Sequence, residues 1–510
     1  MNTGALLERA AEAMADRVAV GSLRDGLTYA GLLDQARRIA SVVTGIGAER
    51  VVAVAQNSPL MPALLYGSGL AGVPFVPVNY RLADAPLRAV LGRAAPGLAV
   101  VDDDAVGRVA GVEGLVVLST TAFLARVEDA DPATAPALAS APARPVGADE
   151  IAVLLYTSGT TGEPKAAVLR HRHLAAYVTS MVEFRASGED HAALVSVPPY
   201  HVAAVITLLT SLYGGRRLVF LPQFDPHCWV HLAIDEGITH AFVVPTMLGR
   251  ILDVLEARGE KLPGLLHLAY GGGRMPVPVV ERALELLPAV GFVNAYGLTE
   301  TAATISMLRP EDHRSAFESD DPVVRSRLGS VGQPLPSVEL EIRAPDGRVL
   351  PPGERGEIYV RGAQVAGEYL GRRALTADGW FPTNDGGWLD DAGFLFVEGR
   401  LDDVIVRGGE NLSPGEIEDV LVTHPAVAEA GVIGIPDDEW GETVAAAVVL
   451  KPGAEATVAE LQDWIRTRLR SSRTPTVIEF RTDLPYNETG KLLRRVLRTQ
   501  LVQPGAAGRG

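Results

Sequence analysis

The feature that most constrains this chain is an alternation. Over the first 300 residues, short β-branched runs recur between segments of helical periodicity. "VVAVAQN" at 51–57, "VPFVPVN" at 73–79, "LAVVDD" at 98–103, "IAVLLYT" at 151–157 and "AALVSVPP" at 192–199 open the series. "RLVFLP" at 217–222, "HAFVVPT" at 240–246, "LLHLAYG" at 265–271 and "GFVNAYG" at 291–297 continue it. Between them lie amphipathic stretches such as "APLRAVLGRA" and "PVPVVERALELLP". A strand buried on both faces reads as a continuous apolar run, and a helix supplies the crossover to a parallel neighbour. The pattern therefore predicts largely parallel sheets covered by helices, an α/β fold. At 510 residues the chain is too long for one ordinary core.

The character changes twice. From about residue 330, "VELEIRAPDGRVLPPGERGEIYVRG" alternates apolar and polar residues around Asp346-Gly347, the signature of a hairpin-rich subdomain. After Arg400 a smaller α+β unit is expected, with helices near 414–423 and 457–470 and strands near 427–435 and 443–450. The domain expectation is thus 1–400 and 401–502, with 503–510 ("QPGAAGRG") a disordered tail. The Ala- and Pro-rich stretch 129–150 reads as a long surface connection.

Charge excludes some partners. A formal net charge of −16 opposes non-specific contact with nucleic acid or anionic membranes. The single cysteine, Cys228, permits no intramolecular disulfide and suits a reducing compartment. The N-terminus carries acidic residues in a helical pattern, unlike a signal peptide, and no apolar stretch reaches the length of a membrane span. A cytoplasmic enzyme is the expectation.

Four stretches carry chemistry. "YTSGTTGEPK" at 156–165 follows an apolar strand, but its lysine falls at the wrong spacing for a Walker loop. Backbone N–H groups around Gly159 and Gly162, the hydroxyls of Thr157, Ser158, Thr160 and Thr161, and Lys165 suit a polyphosphate. The same residues also make an ordinary solvated turn. "NAYGLTETAA" at 294–303 brings an aromatic face, a hydroxyl and a carboxylate together in Tyr296, Thr299 and Glu300, groups able to stack on a purine, bond a phosphate and hold Mg²⁺. Asp385, in "TNDGG", is a candidate acceptor for ribose hydroxyls, with Arg400 downstream. "LPYNETGKLLRR" at 484–495 presents Lys491 after a glycine turn.

In this order the four stretches resemble the adenylate-forming superfamily of acyl-CoA synthetases, peptide-synthetase adenylation domains and beetle luciferases. The resemblance runs from about residue 10 to 500, and "RGGENLSPGEIEDVL" is most similar to the carboxylate–CoA ligases, aryl- and chlorobenzoate–CoA ligases among them. It implies a mobile C-terminal domain, ATP, Mg²⁺ and CoA as small-molecule requirements, and an acyl-AMP intermediate. It implies that Thr157, Ser158, Gly159, Thr160, Thr161, Gly162 and Lys165 clasp the ATP phosphates, with Thr157 and Glu300 at the metal. Gly271, Gly272 and Gly273 of "YGGGRM" line adenine and the acyl pocket; Asn294, Ala295, Tyr296 and Gly297 flank the nucleotide, and Asp385 and Arg400 hold the ribose. Thr299, Glu300 and Lys491 act at the α-phosphate, and His201 gates the carboxylate with Val202 and Ala303 beside it. Asp402 is the implied hinge, and Gly408, Gly409 and Trp440 the implied CoA contacts.

Two positions depart from the family pattern: Ala166 stands where glycine is usual, and Asn384 interrupts the usual Thr-Gly-Asp. "SSRTP" at 471–475 lacks an aromatic residue some relatives carry. Ala203, Ala204, Ala303 and the glycines suggest a roomy apolar pocket for a hydrophobic acid, although Arg274 would suit a second carboxylate. The expected acceptor is CoA, with a carrier protein or preformed acyl-AMP chemistry as alternatives; a homodimer is compatible with everything above. "GSGLAG" at 67–72 fits the dinucleotide fingerprint but follows a helix and precedes a strand, the reverse of the required order. His227, Cys228 and His231 have helical spacing, yet a helix start capped by Asp225 explains the stretch without a metal.

Overall fold

The structure, a computed structural model, describes residues 1–131, 146–157, 165–437, 439–486 and 492–502. Ser158, Gly159, Thr160, Thr161, Gly162 and Lys491 lie outside the described residues, as do the tail 503–510 and most of the 129–150 connection.

Each of the nine apolar runs forms a strand, and together they build two large sheets. In the first, Ala192–Val195 lies between Arg217–Phe220 and His240–Val243, followed by His267–Gly271 and Gly291–Leu298, all parallel. Ala303–Leu308 then adds antiparallel at one side. The second sheet has Val51–Val54, Phe75–Pro77, Gly97–Val101, Leu115–Ser119 and Ile151–Thr157 in parallel, with Lys165–Arg170 antiparallel beside the last. Several strands are shorter than their apolar runs because Pro, Asn and Asp at the ends cannot extend the ladder.

The helices between strands cover these sheets. Val202–Gly214 buries Val205, Leu208, Leu209 and Leu212 with Leu6, Leu64 and Tyr66 in the largest core cluster. "GSGLAG" closes the helix Leu60–Ala71, whose last turn precedes the Phe75–Pro77 strand, so it is helix packing and no nucleotide loop. Asp225 caps Pro226–Asp235 by accepting from the Cys228 N–H at 2.9 Å, and His231 faces Arg258.

Two further sheets complete the chain. Val338–Arg343, Gly356–Gly362, Phe381–Leu389 and Leu395–Arg400 form the antiparallel sheet foreseen around Asp346-Gly347. Beyond Arg400, Ile405–Arg407, Glu410–Leu412, Val427–Asp437, Gly441–Leu450 and Val477–Arg481 form a five-stranded sheet with the helices Pro414–Val422, Val458–Arg466 and Arg494–Val502. It has its own core around Ile405, Ile417, Val432 and Val444. Among the described residues no helix is long and apolar enough to cross a membrane.

Candidate active site

The C-terminal ends of the first parallel sheet converge on the loop after Gly291–Leu298, where ligands of such sheets collect. That strand ends in a 3₁₀ turn, Thr299–Thr301, held on several sides. The Thr301 hydroxyl donates to the carbonyls of Leu298 and Ala303 at 2.9 and 2.7 Å, and Gln364 Nε2 donates to the carbonyls of Thr301 and Thr304. Ala302 and Ala303 sit at φ 52° and 94°, a conformation L-residues resist unless their surroundings impose it. Gly297 is required here: a Cβ would stand 1.7 Å from the Ala303 carbonyl oxygen.

The turn points Glu300 inward. Its carboxylate is nearly buried, and Oε1 accepts the Tyr369 hydroxyl at 2.5 Å. Burial and the Glu300 charge push the Tyr369 phenol well above its usual range, so it stays protonated and donates. Tyr369 reaches this place because Glu368–Tyr369 pairs with Lys165–Arg170, an edge fixed by the two-bond Arg170–Glu368 ion pair at 2.6 and 2.8 Å. Nothing in the sequence around 369 marks it as functional.

Asp385 and Arg400 are cross-strand partners in the antiparallel sheet, which explains their pairing at 3.0 Å. The second Asp385 oxygen accepts the Tyr296 hydroxyl at 2.7 Å, and Arg400 also donates to the Thr383 carbonyl. Burial first, and the Asp385 charge second, hold the Tyr296 phenol protonated. Tyr296, read apart from the Asp385–Arg400 pair in the sequence, thus joins it in one bonded unit.

One continuous cavity of about 1750 Å³ gathers the sequence-predicted residues. Thr157, Lys165, His201, Val202, Gly272, Gly273, Asn294, Ala295, Tyr296, Gly297, Thr299, Glu300, Ala303, Asp385, Arg400 and Asp402 all line it. Gly271 lies behind its wall, where a Cβ would meet the Ala295 carbonyl at 2.3 Å. Thr157 Oγ1 donates to the Lys165 carbonyl at 3.3 Å. Gly408, Gly409 and Trp440 stand together outside the cavity: the Trp440 carbonyl accepts from the Gly408 N–H at 2.8 Å, and the indole is 47% exposed.

The sequence profile of the AMP-binding enzyme family matches residues 7–370, and that of the AMP-binding enzyme C-terminal domain matches residues 416–491. The chain belongs to the AMP-binding enzyme family. A feruloyl-CoA synthase of Amycolatopsis sp is 34% identical over 483 residues, covering 92% of this chain and 93% of the relative. The fatty acid–[acyl-carrier-protein] ligase ScoC of Streptomyces coeruleorubidus is 34% identical over 494 residues, covering 92% and 91%. The solved structure of O-succinylbenzoate Coenzyme A synthetase (MenE) from Bacillus subtilis with ATP and magnesium ion superposes with a TM-score of 0.81 at 28% identity, covering 98% and 99%.

The two departures from the family pattern have local explanations. Ala166 is buried in a regular strand opposite Tyr156, its carbonyl accepts the Leu370 N–H, and it has no positive φ that would demand glycine. Asn384 has φ 60°, and its side chain donates to Asp402 Oδ2 at 2.8 Å, a bond glycine could not make. Arg274 lines the cavity but pairs with Asp419 of the C-terminal unit, so its charge is already engaged.

Proposed function

We propose that this chain is an AMP-forming acid–thiol ligase that converts a hydrophobic carboxylic acid through acyl-AMP to its CoA thioester. The observation that carries the reading is the Tyr296–Asp385–Arg400 unit facing Glu300 across one cavity, in a member of the AMP-binding enzyme family. In this reading residues 1–400 bind ATP and the acid, 401–502 form the mobile unit, and 503–510 are a tail. Asp385 and Arg400 hold the ribose, Tyr296 and the 294–297 backbone flank adenine, and the 157–165 segment clasps the phosphates.

A divalent cation fits the donor set. Glu300 is a buried carboxylate with one oxygen tied to Tyr369, and the Thr157 hydroxyl lines the same cavity. Bound Mg²⁺ supplies charge neutralisation on the phosphates. The acid's carboxylate attacks the α-phosphorus, the bond to pyrophosphate breaks, and acyl-AMP forms. This nucleophile is already ionised, so the site works by positioning. Lys491 and Thr299 stabilise the charge that builds on the phosphorus oxygens, while His201 borders the acyl carboxylate. A thiol then attacks the acyl carbonyl and AMP leaves. Gly408, Gly409 and Trp440 lie outside the cavity now; rotation about Asp402 would bring them to the thiol and withdraw Lys491.

ATP–pyrophosphate exchange across an acid panel tests this reading, followed by thioester formation with CoA. Lys491→Ala should abolish exchange yet still convert supplied acyl-AMP to thioester; equal loss of both steps would sink the assignment. A preference for malonate would overturn the hydrophobic acid. The similarity to ScoC favours one second reading, a carrier protein as acceptor. Side-by-side turnover with CoA and with a phosphopantetheinyl carrier decides between them.

A further inference from the structure

The cavity extends beyond the small residues near His201. It continues between the helix Val202–Gly214 and the first sheet, toward the N-terminal ends of the strands. The helix contributes Ala203, Ile206, Thr207 and Thr210, a single face at i, i+3, i+4 and i+7. The Thr207 and Thr210 hydroxyls donate back to the carbonyls of Ala203 and Ile206, so this wall is largely apolar. Opposite it stand Ala193, Phe242, Ala269 and Val293, brought to one sheet face by the pairing of Phe242 with Ala269 and Ala269 with Val293. Two of the four are alanine, which keeps the channel open.

The far end is polar and cationic. His240 pairs with His267 across adjacent strands, and the pairing of Arg217 with Ala192 sets Arg216 beside His191 on the same sheet face. Ring centroids are 5.5 Å apart for His191 and His240, and 5.2 Å for His240 and His267. Arg216, His240 and His267 line the cavity, with His267 exposed at its rim. Among the described residues the Arg216 side chain makes one long hydrogen bond, to the Thr210 carbonyl at 3.4 Å. Its Nε, like Nδ1 of His191, is buried with no hydrogen-bond partner among the described residues. No carboxylate among them pairs with this guanidinium. Burial, then the Arg216 charge, drives the His240 imidazole down to about 3, and the same causes lower His267. A half-buried guanidinium beside imidazoles, with no counter-charge, lacks one thing: an anion.

We infer that Arg216, His240 and His267 form a subsite for an anionic group at the far end of the acid substrate. The inference rests on the ligase reading above and narrows its substrate to an elongated acid with an apolar middle and a second negative charge. The strand His267–Gly271 advances about 3.3 Å per residue over four steps, about 13 Å, and Gly272 adds one residue beyond it, so the two charged ends stand roughly 13–16 Å apart.

Tetradecanedioic acid, its monomethyl ester and tetradecanoic acid provide the test, with the full chain. Each is titrated calorimetrically as a ligand and assayed as a substrate by ATP–pyrophosphate exchange. The diacid should bind about tenfold more tightly than its half-ester, the effect of a charge-assisted bond. Arg216→Gln should raise the KM of the diacid about tenfold and bring that ratio near one. His267→Gln, at an exposed position, should reduce the ratio too, and it carries the test should Arg216→Gln fail to fold. Equal binding of diacid and half-ester by the wild type, or a ratio untouched by these variants, would overturn the subsite. Exchange with all three acids but no preference leaves the ligase reading standing without the subsite. Preferential diacid binding without any exchange does the reverse.

Discussion

Asp385 offers the sharpest test of the nucleotide site, because two substitutions there separate charge from shape. The residue is 7% exposed, and its carboxylate accepts from Arg400 Nε at 3.0 Å and from the Tyr296 hydroxyl at 2.7 Å. In Asp385→Asn the new amide must turn its oxygen to Arg400, since the reverse would set N–H against N–H. The NH₂ then meets the Tyr296 oxygen, which can accept. Shape and both contacts survive while the charge is lost, a difference of about 1–2 kcal/mol between charged and neutral hydrogen bonds. Asp385→Ala removes the acceptor altogether and leaves the Tyr296 hydroxyl buried without its partner, for about 3 kcal/mol or more. With about 1.4 kcal/mol per decade, the KM for ATP should rise about tenfold in Asp385→Asn and about a hundredfold in Asp385→Ala. Pyrophosphate exchange at saturating acid, with ATP varied, measures both. An unchanged KM for ATP in both variants, accompanied by a lower melting temperature, would show the carboxylate to be purely a brace between two strands and refute its role at the ribose.

Tyr369→Phe removes the 2.5 Å hydroxyl bond that orients Glu300. At about 1.5–3 kcal/mol for a bond to a charged group, the Mg²⁺ concentration for half-maximal exchange should rise about tenfold or more, and an unaltered Mg²⁺ titration would discount the positioning role. Asn384→Gly relieves a positive φ and breaks the exposed bond to Asp402, with an effect on stability of at most about 1 kcal/mol. If that bond restrains the hinge, single-turnover thioester formation from supplied acyl-AMP should quicken up to about fivefold; an identical rate removes the restraint. Burial lowers the imidazoles of His171 and His313 to about 4, below their unfolded value of 6.5. Their contribution to stability is complete above pH 6.5 and is lost as the pH falls toward 4, at about 1.4 kcal/mol per pH unit for each. Urea midpoints should therefore drop from pH 7 to pH 5, and a constant midpoint contradicts the burial of neutral histidines.

Much of the fold was legible from local pattern. Apolar runs bounded by Pro, Gly and Asp announced nine of the parallel strands but not Leu115–Ser119, and Asp346-Gly347 announced its hairpin. The site was legible as far as motifs carry: Tyr296, Glu300, Asp385 and Arg400 each sit in a distinctive stretch, and the structure gathers them around one cavity. Periodicity and turn chemistry act over a few residues, so the sequence by itself determined which segments become strands, helices and loops. It was silent where contacts depend on pairing between distant strands. Tyr369 lies on a two-residue strand with no motif, and only the edge held by Arg170 and Glu368 brings it to Glu300. Asn384 appeared only as a departure from the family's usual Thr-Gly-Asp, and its bond to Asp402 required the turn to be built. His191, Arg216, His240 and His267 are single polar residues near the starts of four separate strands. Parallel register alone sets them on one sheet face, with Arg216, His240 and His267 at the far end of the cavity, because that alignment belongs to the sheet and to none of its strands.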